Sequence, residues 1–201
     1  MFIIGITGGS GAGKTSALRS LVKLGALCLD CDEIYHELLS DNPELKSELN
    51  AAFTGILQNG VIDRRKLGEL VFTDPSALLE LNTITHKYVS SEIERRLAGW
   101  EARGGAIAAI DAIALIDSGR NEKCDVVVGV IAPFESRVSR VMNRDKITRE
   151  QAELRINAQK PDSFFRENCS HILENTCGTP WEFEKKCKVF FAELIGGIRD
   201  A

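Results

Sequence analysis

The chain has 201 residues, of which 44% are hydrophobic and 27% charged, and its formal net charge at pH 7 is −4. This length and apolar content predict one globular unit, and the net negative charge gives no overall basic field that would hold nucleic acid. No apolar run approaches the roughly 18 residues that a membrane-spanning helix needs. We therefore expect a cytoplasmic protein with neither a nucleic-acid nor a membrane partner.

The six cysteines do not suggest a disulfide scaffold, because a chain of this size can build a full core without one. Cys28 and Cys31 are the only close pair, and the other four show no spacing that would complete a zinc site. Since cysteine is among the most buried residue types, reduced and mostly buried thiols are favoured over a redox pair.

The first part of the chain predicts alternating strands and helices. In order, these are a buried strand at Phe2–Thr7, a glycine-rich loop through Gly13, a helix from Lys14 to about Leu24, and a short strand at residues 26–29. Gly25 is a suitable residue to end that helix.

Residues 33–99 contain no convincing strand and predict a helical excursion. Asn42-Pro43 and Asp74-Pro75 each read as an N-cap followed by a proline in the first helical turn. Apolar residues recur with helical spacing from Leu78 to Leu97 and predict one long amphipathic helix.

The second part of the chain returns to strands separated by helices. The predicted strands are 106–111, 125–131 and 170–174, and the predicted helices are 134–145, 148–159 and a last one opened by Thr179. The near-continuous apolar runs of the first two strands suit a parallel sheet buried on both faces. Thr148 and Thr179 each begin a capping box. The pattern predicts an α/β fold of three layers, with a parallel sheet between helices.

Gly8–Thr15 reads GGSGAGKT and matches G-x-x-x-x-G-K-[ST] between a strand and a helix. In such a loop the backbone N–H groups surround phosphates beside a helix N-terminus. We expect Lys14 to reach the β and γ phosphates and the Thr15 hydroxyl to ligate Mg²⁺. The predicted ATP-binding residues of this phosphate-binding loop (P-loop) and its helix are Gly9, Ser10, Gly11, Ala12, Gly13, Lys14, Thr15 and Ser16.

The chain lacks the motifs of a regulatory GTPase, since neither N-K-x-D nor D-x-x-G occurs in it. A small-molecule kinase needs an acceptor pocket, a general base and a cationic lid, and the chain has a candidate for each. A nucleotide-gated binding module and another metabolite or nucleotide kinase are the alternatives.

The candidate lid is residues 137–166, which are rich in arginine. Guanidinium groups stabilise the charge that develops during phosphoryl transfer. The alternative is an ordinary solvated helix face with pairs to Glu150 and Glu153. The arginines are Arg137, Arg140, Arg144, Arg149, Arg155 and Arg166.

Acidic residues follow two of the predicted strands, where open α/β sheets bind ligands. Asp30 and Asp32 follow the second strand, and Asp111 ends the third. Asp30 is suited to cap the next helix, whereas Asp32 is predicted to be the general base that takes the proton of an acceptor hydroxyl. Asp111 could order the acceptor, bind Mg²⁺ through water, or cap the next segment.

Several stretches resemble the dephospho-CoA kinase family. They are Gly5–Thr15, the D-x-D-x-I of Asp30–Ile34, the G-x-[LI]-D-R-like stretch Gly60–Leu67, and the A-x-x-R-I-x-x-Q of Ala152–Gln159. Because many enzymes share the P-loop, the second and fourth stretches carry the specificity. The resemblance implies a P-loop kinase core and phosphorylation of the 3′-hydroxyl of dephospho-CoA by ATP with Mg²⁺.

The same resemblance implies roles for individual residues. Asp32, Lys14 and Arg140 are the implied catalytic residues, with Arg140 and Arg144 over the phosphates and Asn175 at the adenine. The implied acceptor-binding residues are Thr7, Asp32, Arg64, His86 and Asp111. Read without the family, His86 is more often a packed helix residue than a ligand.

The chain departs from the family pattern on the acceptor side. The stretch Asp111–Asp117 reads DAIALID where the family commonly has D-x-P-L-L-x-E. Lys87 stands where proline is usual, and His36 where arginine is common. We expect a single domain with a core (1–32, 100–136, 167–201), a helical acceptor-binding region (33–99) and a lid (137–166).

Overall fold

The structure is a computed structural model, and it describes residues 1–199. The elements in chain order are β1 (Phe2–Thr7), α1 (Lys14–Lys23), β2 (Leu27–Asp30), α2 (Cys31–Asp41), α3 (Pro43–Ala52), β3 (Leu57–Gln58), β4 (Val61–Ile62), α4 (Arg64–Thr73), α5 (Pro75–Glu101), β5 (Ile107–Asp111), a 3₁₀ turn (Arg120–Lys123), β6 (Val126–Ile131), α6 (Phe134–Asp145), α7 (Arg149–Asn157), α8 (Asp162–Asn168), β7 (His171–Glu174) and α9 (Pro180–Arg199). The chain divides into two compact units, one of Met1–Leu29 with the chain from Arg103 onward, and one of Asp30–Ala102.

The first unit is built on a sheet with the strand order β2-β5-β1-β6-β7. Strand β1 pairs in parallel with β5 and with β6, and β6 pairs in parallel with β7. Every residue of β5 is buried, which explains why its sequence is apolar without alternation. The predicted α/β fold with a parallel sheet is confirmed.

Helices cover both faces of this sheet. Val128 and Val130 of β6 belong to a core that α1 and α9 complete with Leu21, Phe183 and Phe191. Gly129, between the two valines, faces the other way, because an added Cβ there would lie 3.2 Å from Cβ of Phe165 in α8. Alternation of side chains along a strand thus gives each face its own helices.

Local capping signals place the helix starts where the sequence predicts them. Thr148 and Gln151 make both hydrogen bonds of a capping box. Thr179 does the same with Glu182, since each side chain accepts the backbone N–H of the other, at 3.2 and 3.1 Å. Helix α8, which the sequence pattern does not predict, follows Pro161 and spans only Asp162–Asn168.

The second unit packs its helices around a separate apolar core that includes Leu45, Leu49 and Ile56. Asn42 and Asp74 cap α3 and α5 as predicted, accepting backbone N–H groups at 2.8 Å. The prediction that residues 33–99 contain no strand is wrong. Strands β3 and β4 form a small antiparallel hairpin.

The hairpin turn is Asn59-Gly60, and both residues have positive φ angles, 50° and 78°. A two-residue turn of this kind requires positive φ at both positions, which asparagine and glycine tolerate best. The signal was present in the sequence, but strands of two residues leave no alternation to detect.

The six cysteines are all free thiols. Burial is the largest cause that raises the pKa of four of these thiols. The pKa rises to about 12 for Cys187 and to about 11 for Cys28, Cys124 and Cys169. These four therefore stay protonated at neutral pH, which agrees with the expectation of reduced thiols. The expectation that most of the six are buried is wrong, since only Cys31 and Cys187 are buried and the other four are half-buried. No helix within residues 1–199 is long and apolar enough to span a bilayer.

Candidate functional site

The P-loop connects the end of β1 to the first turn of α1. Gly13 is the N-cap of α1 with φ 118°, and the next residue, Lys14, begins the helix. The first N–H groups of a helix have no intrahelical acceptor and carry the positive end of the helix dipole. The loop therefore presents a concentration of N–H donors suited to a polyphosphate.

Only glycine fits at position 13. Its φ of +118° is unfavourable for other residues, and an added Cβ would lie 2.5 Å from Nδ2 of Asn175 and 2.9 Å from Cε1 of Phe183. The last loop glycine thus lets the β7 end and α9 approach the backbone closely.

Lys14 reaches back over the loop. Its Nζ donates to the carbonyl oxygen of Gly8 at 3.0 Å. The ammonium group therefore lies across the loop that the sequence predicts to hold phosphates. A bound phosphate can replace the Gly8 carbonyl oxygen as its hydrogen-bond acceptor.

Side chains hold three successive carbonyl groups of the P-loop. Each of these carbonyl oxygens accepts a hydrogen bond from a residue that is distant in the chain. The pairs are Nε of Arg137 with Ser10 at 3.0 Å, Nη1 of Arg140 with Gly11 at 3.0 Å, and Nδ2 of Asn175 with Ala12 at 2.9 Å.

Gln159, just after α7, binds Ser10 through both ends of its amide. Its Oε1 accepts the Ser10 N–H at 2.8 Å, and its Nε2 donates to the Ser10 hydroxyl at 2.8 Å. Nη2 of Arg137 donates to the same Oε1 at 3.0 Å. Arg137 and Gln159 therefore form one hydrogen-bonded group around Ser10.

Two of these contacts place cationic groups against the loop. The Arg137 residue is only 6% exposed and has Asp162 as an ion-pair partner at 3.6 Å. Burial lowers the pKa of the Arg137 guanidinium, which Asp162 opposes, and burial likewise lowers that of Arg140. Because arginine side chains are not deprotonated in proteins, both groups remain charged.

Arg144, predicted to bind ATP, and two other arginines of the predicted lid have different surroundings. Arg144 is exposed and paired with Asp145, whose carboxylate also pairs with Arg155. The Arg144 guanidinium is the main cause that lowers the pKa of Asp145. Arg149 pairs with Glu135 and with Glu153. These exposed arginines of the predicted lid thus form the ion pairs of an ordinary solvated surface.

Two residues predicted to bind the acceptor lie in the first unit. Thr7 is fully buried, and its hydroxyl donates to the carbonyl oxygen of Ile113 at 3.2 Å. Asp111 is buried at the end of β5, and its charge adds to burial in raising the pKa of Cys28. Their contact with an acceptor stays a prediction.

Three others lie in the second unit. Asp32 is exposed in the first turn of α2, and His86 is half-buried on α5. Nη2 of Arg64 lies 3.3 Å from Nε2 of His36. Asp30 caps α2 by accepting the N–H groups of Asp32 and Glu33, so the predicted structural role of Asp30 is confirmed.

The chain offers a partial site for Mg²⁺. Among residues 1–199, no group of three or more His, Cys, Asp or Glu side chains could hold a metal ion. Mg²⁺ commonly keeps several waters and takes other ligands from substrate phosphates, so such a cluster is not required. The exposed Thr15, second in α1, fits as a single hard oxygen ligand beside bound phosphates.

The contacts of Arg137 and Gln159 with Ser10 are not predictable from the sequence pattern. The residues of these pairs lie 127 and 149 positions apart. The spacing of Arg137 and Arg140, three residues apart, was the available signal, because it places both on one helix face. It could not indicate that this face meets the loop.

The chain is similar in sequence and in fold to known proteins. The dephospho-CoA kinase family model matches residues 2–180. A dephospho-CoA kinase of Geobacter sulfurreducens is 36% identical over 195 residues, covering 96% of this chain and 98% of that protein. A crystal structure from Thermus thermophilus has a TM-score of 0.81 and 32% identity, covering 96% of this chain and 97% of its own. The structure of dephospho-CoA kinase from Campylobacter jejuni has a TM-score of 0.70 and 25% identity, covering 97% and 98% of the two chains.

Proposed function

The chain belongs to the dephospho-CoA kinase family, and on that premise we propose that it transfers the γ-phosphoryl group of ATP to the 3′-hydroxyl of dephospho-CoA, giving coenzyme A and ADP. The observation that supports this most is the family match over residues 2–180, which includes the P-loop with its braced carbonyl groups. ATP and dephospho-CoA are the proposed partners, and the cytoplasm is the proposed location.

ATP binding is proposed to use the P-loop and the start of α1. The N–H groups of Ser10, Ala12 and Ser16 bond within the protein, so the other N–H groups between Gly9 and Thr15 are the proposed donors to the β and γ phosphates. Lys14 exchanges its contact with Gly8 for the phosphate oxygens. Phosphoryl transfer depends mainly on positioning and on neutralising charge, so these donors supply most of the catalysis that the first unit provides. Arg140, Arg144 and Asn175 are proposed to complete the ATP side.

The Thr15 hydroxyl is proposed as the protein ligand that would hold Mg²⁺ beside the bound phosphates. When bound, the ion would neutralise charge on the phosphate oxygens.

Asp32 is the proposed general base. The acceptor oxygen attacks the γ-phosphorus and its proton passes to the Asp32 carboxylate, while the bond from the γ-phosphorus to the β–γ bridging oxygen breaks and ADP leaves. The supporting observations are the exposure of Asp32 and the capping of α2 by Asp30, which leaves the Asp32 carboxylate free of the capping role.

The acceptor is proposed to bind through Thr7, Asp32, Arg64, His86 and Asp111. We propose residues 33–99 as the acceptor-binding region, residues 137–166 as the lid, and the remainder as the core. Arg64 suits the diphosphate group of dephospho-CoA, since arginine forms charge-assisted hydrogen bonds with phosphate.

The proposed activity is tested by ADP release with ATP, Mg²⁺ and one acceptor at a time: dephospho-CoA, AMP, shikimate or gluconate. We expect ADP release above the no-acceptor background only with dephospho-CoA. Preference for another acceptor would assign a different kinase activity. Release that is independent of any acceptor would favour a nucleotide-hydrolysing binding module.

A further inference from the structure

Arg137 occupies an unusual position for an arginine. It is almost fully buried, its Nε donates to the Ser10 carbonyl oxygen, and its Nη2 donates to Gln159. Its carboxylate partner Asp162 lies at 3.6 Å, longer than a good charge-assisted hydrogen bond. Burying a guanidinium is costly unless its donors are used, and here two of them are used on the P-loop and the side chain that binds it.

A hydrogen bond to a loop carbonyl also fixes the next N–H group. In a planar trans peptide, the C=O of one residue and the N–H of the next point in opposite directions. Arg137 holds the Ser10 carbonyl toward α6, so the Gly11 N–H points away from α6. In the same way, Asn175 holds the Ala12 carbonyl and thereby directs the Gly13 N–H.

The donor to the Ser10 carbonyl oxygen is charged. This charge affects how strongly the Gly11 N–H donates, as well as the direction in which it points. A hydrogen bond at one end of a peptide group polarises the group and strengthens the bond at its other end. A buried guanidinium on the carbonyl therefore makes the Gly11 N–H a stronger donor to an anion. Gln159 keeps Arg137 in place and holds Ser10 by two further bonds.

We propose that Arg137, held by Gln159, is a positioning residue for the phosphates of ATP. It acts through the Ser10–Gly11 peptide, orienting and polarising the Gly11 N–H, and does not contact the nucleotide. This inference rests on the proposed function for the identity of the nucleotide, but it concerns ATP binding and needs no acceptor.

The test compares four variants: Arg137→Met, Arg137→Lys, Gln159→Met and the control Arg19→Met, which makes the same substitution at an exposed position of α1. The affinities for ATP and for inorganic tripolyphosphate are measured by calorimetric titration. Thermal unfolding without ligand reports on the fold. Amide NMR reports the shift of the Gly11 N–H on adding tripolyphosphate.

We expect Arg137→Met to weaken ATP and tripolyphosphate binding equally, by about ten- to a hundredfold. Arg137→Lys keeps a charged donor for the Ser10 carbonyl oxygen but cannot also bind Gln159. Its loss of affinity is therefore smaller than that of Arg137→Met. Gln159→Met lowers both affinities several-fold, and Arg19→Met leaves both affinities unchanged. The ligand-induced shift of the Gly11 N–H shrinks in Arg137→Lys and Gln159→Met, whereas those of Lys14 and Thr15 remain.

Unchanged ATP affinity in Arg137→Met would overturn the inference, and so would a loss confined to ATP with tripolyphosphate unaffected. If Arg137→Met does not fold, the inference is tested by the Gly11 N–H shift and the affinities of Arg137→Lys and Gln159→Met. Wild-type shifts and affinities in both variants would overturn the inference. The affinity of the unmodified chain for ATP and its activity toward dephospho-CoA test the proposed function, whereas the ratio of variant to unmodified affinity tests this inference.

Discussion

Nδ2 of Asn175 donates to the carbonyl oxygen of Ala12 at 2.9 Å, although the two residues are 163 positions apart. The Asn175 backbone is fixed as well, since its N–H donates to the carbonyl oxygen of Ile131 at 2.8 Å. Oδ1 of Asn175 accepts from Nη2 of Arg140 at 3.3 Å. The end of strand β7 is thus connected directly to the P-loop.

Asn175→Ala should weaken ATP binding by about tenfold and lower the free energy of unfolding by about 1–2 kcal/mol, because the buried Ala12 carbonyl loses its donor. Calorimetric titration and urea unfolding measure the two effects. Asn168→Ala is the matched control, since Nδ2 of Asn168, at an exposed position of α8, also donates to a backbone carbonyl, that of Phe164 at 2.8 Å. Equal ATP affinities for the two variants would remove Asn175 from the ATP site.

Lys14→Met should lower turnover by about a hundredfold or more, because it removes a charged donor at the transferring phosphoryl group. Steady-state ADP formation at saturating dephospho-CoA measures this. Lys23→Met, at the other end of α1, removes a lysine that pairs with Glu184 on the surface and should keep its activity. A Lys14→Met variant as active as Lys23→Met would show that Lys14 is not needed for transfer.

Asp32→Asn should leave the ATP affinity within about twofold and reduce turnover by about a hundredfold or more, because an amide cannot accept the acceptor proton. Single-turnover mixing with excess enzyme separates the chemical step from product release. Glu33→Gln, an exposed neighbour, is the control. Full activity of Asp32→Asn would exclude Asp32 as the base.

Glu92 should make stability depend on pH at the acid end. Hydrogen bonds from Arg95, and then from Arg96, lower the pKa of Glu92 from 4.5 to about 2. The charged form is favoured in the folded state, so its contribution is complete above pH 4.5 and declines as the pH falls toward 2.

Glu92→Gln should therefore lower the free energy of unfolding by about 1 kcal/mol at pH 7, and the difference should shrink below pH 4.5. Urea unfolding from pH 7 to 3 measures this, with Glu80→Gln on the exposed face of the same helix as the control. A difference that stays constant down to pH 3 would contradict the assignment.

The sequence predicted the features that depend on neighbouring residues. The caps at Asn42, Asp74, Thr148 and Thr179 are local, since each side chain bonds a backbone group within three positions. Strands β1, β5 and β6 were predictable because burial on both faces requires continuous apolar runs.

The bracing of the P-loop could not be predicted in the same way. The polar side chains of Arg137 and Gln159 suit a solvated helix as well as a buried contact. Only the packing of α6 and of the end of α7 near Ser10 brings the donors within 3.0 Å of their acceptors. The β3–β4 hairpin was missed for a different reason, since its turn signal is clear but its strands are short.

Identification of the reaction product tests the proposed function most directly. The protein is incubated with ATP, Mg²⁺ and dephospho-CoA, and the product is examined by ³¹P NMR and mass spectrometry. We predict one new phosphomonoester resonance, from a phosphate on the 3′ position of the ribose. This product forms in equal amount to ADP, and it forms more slowly with Lys14→Met, by about a hundredfold or more. Inorganic phosphate with unchanged dephospho-CoA, or a phosphate at another position, would contradict the account.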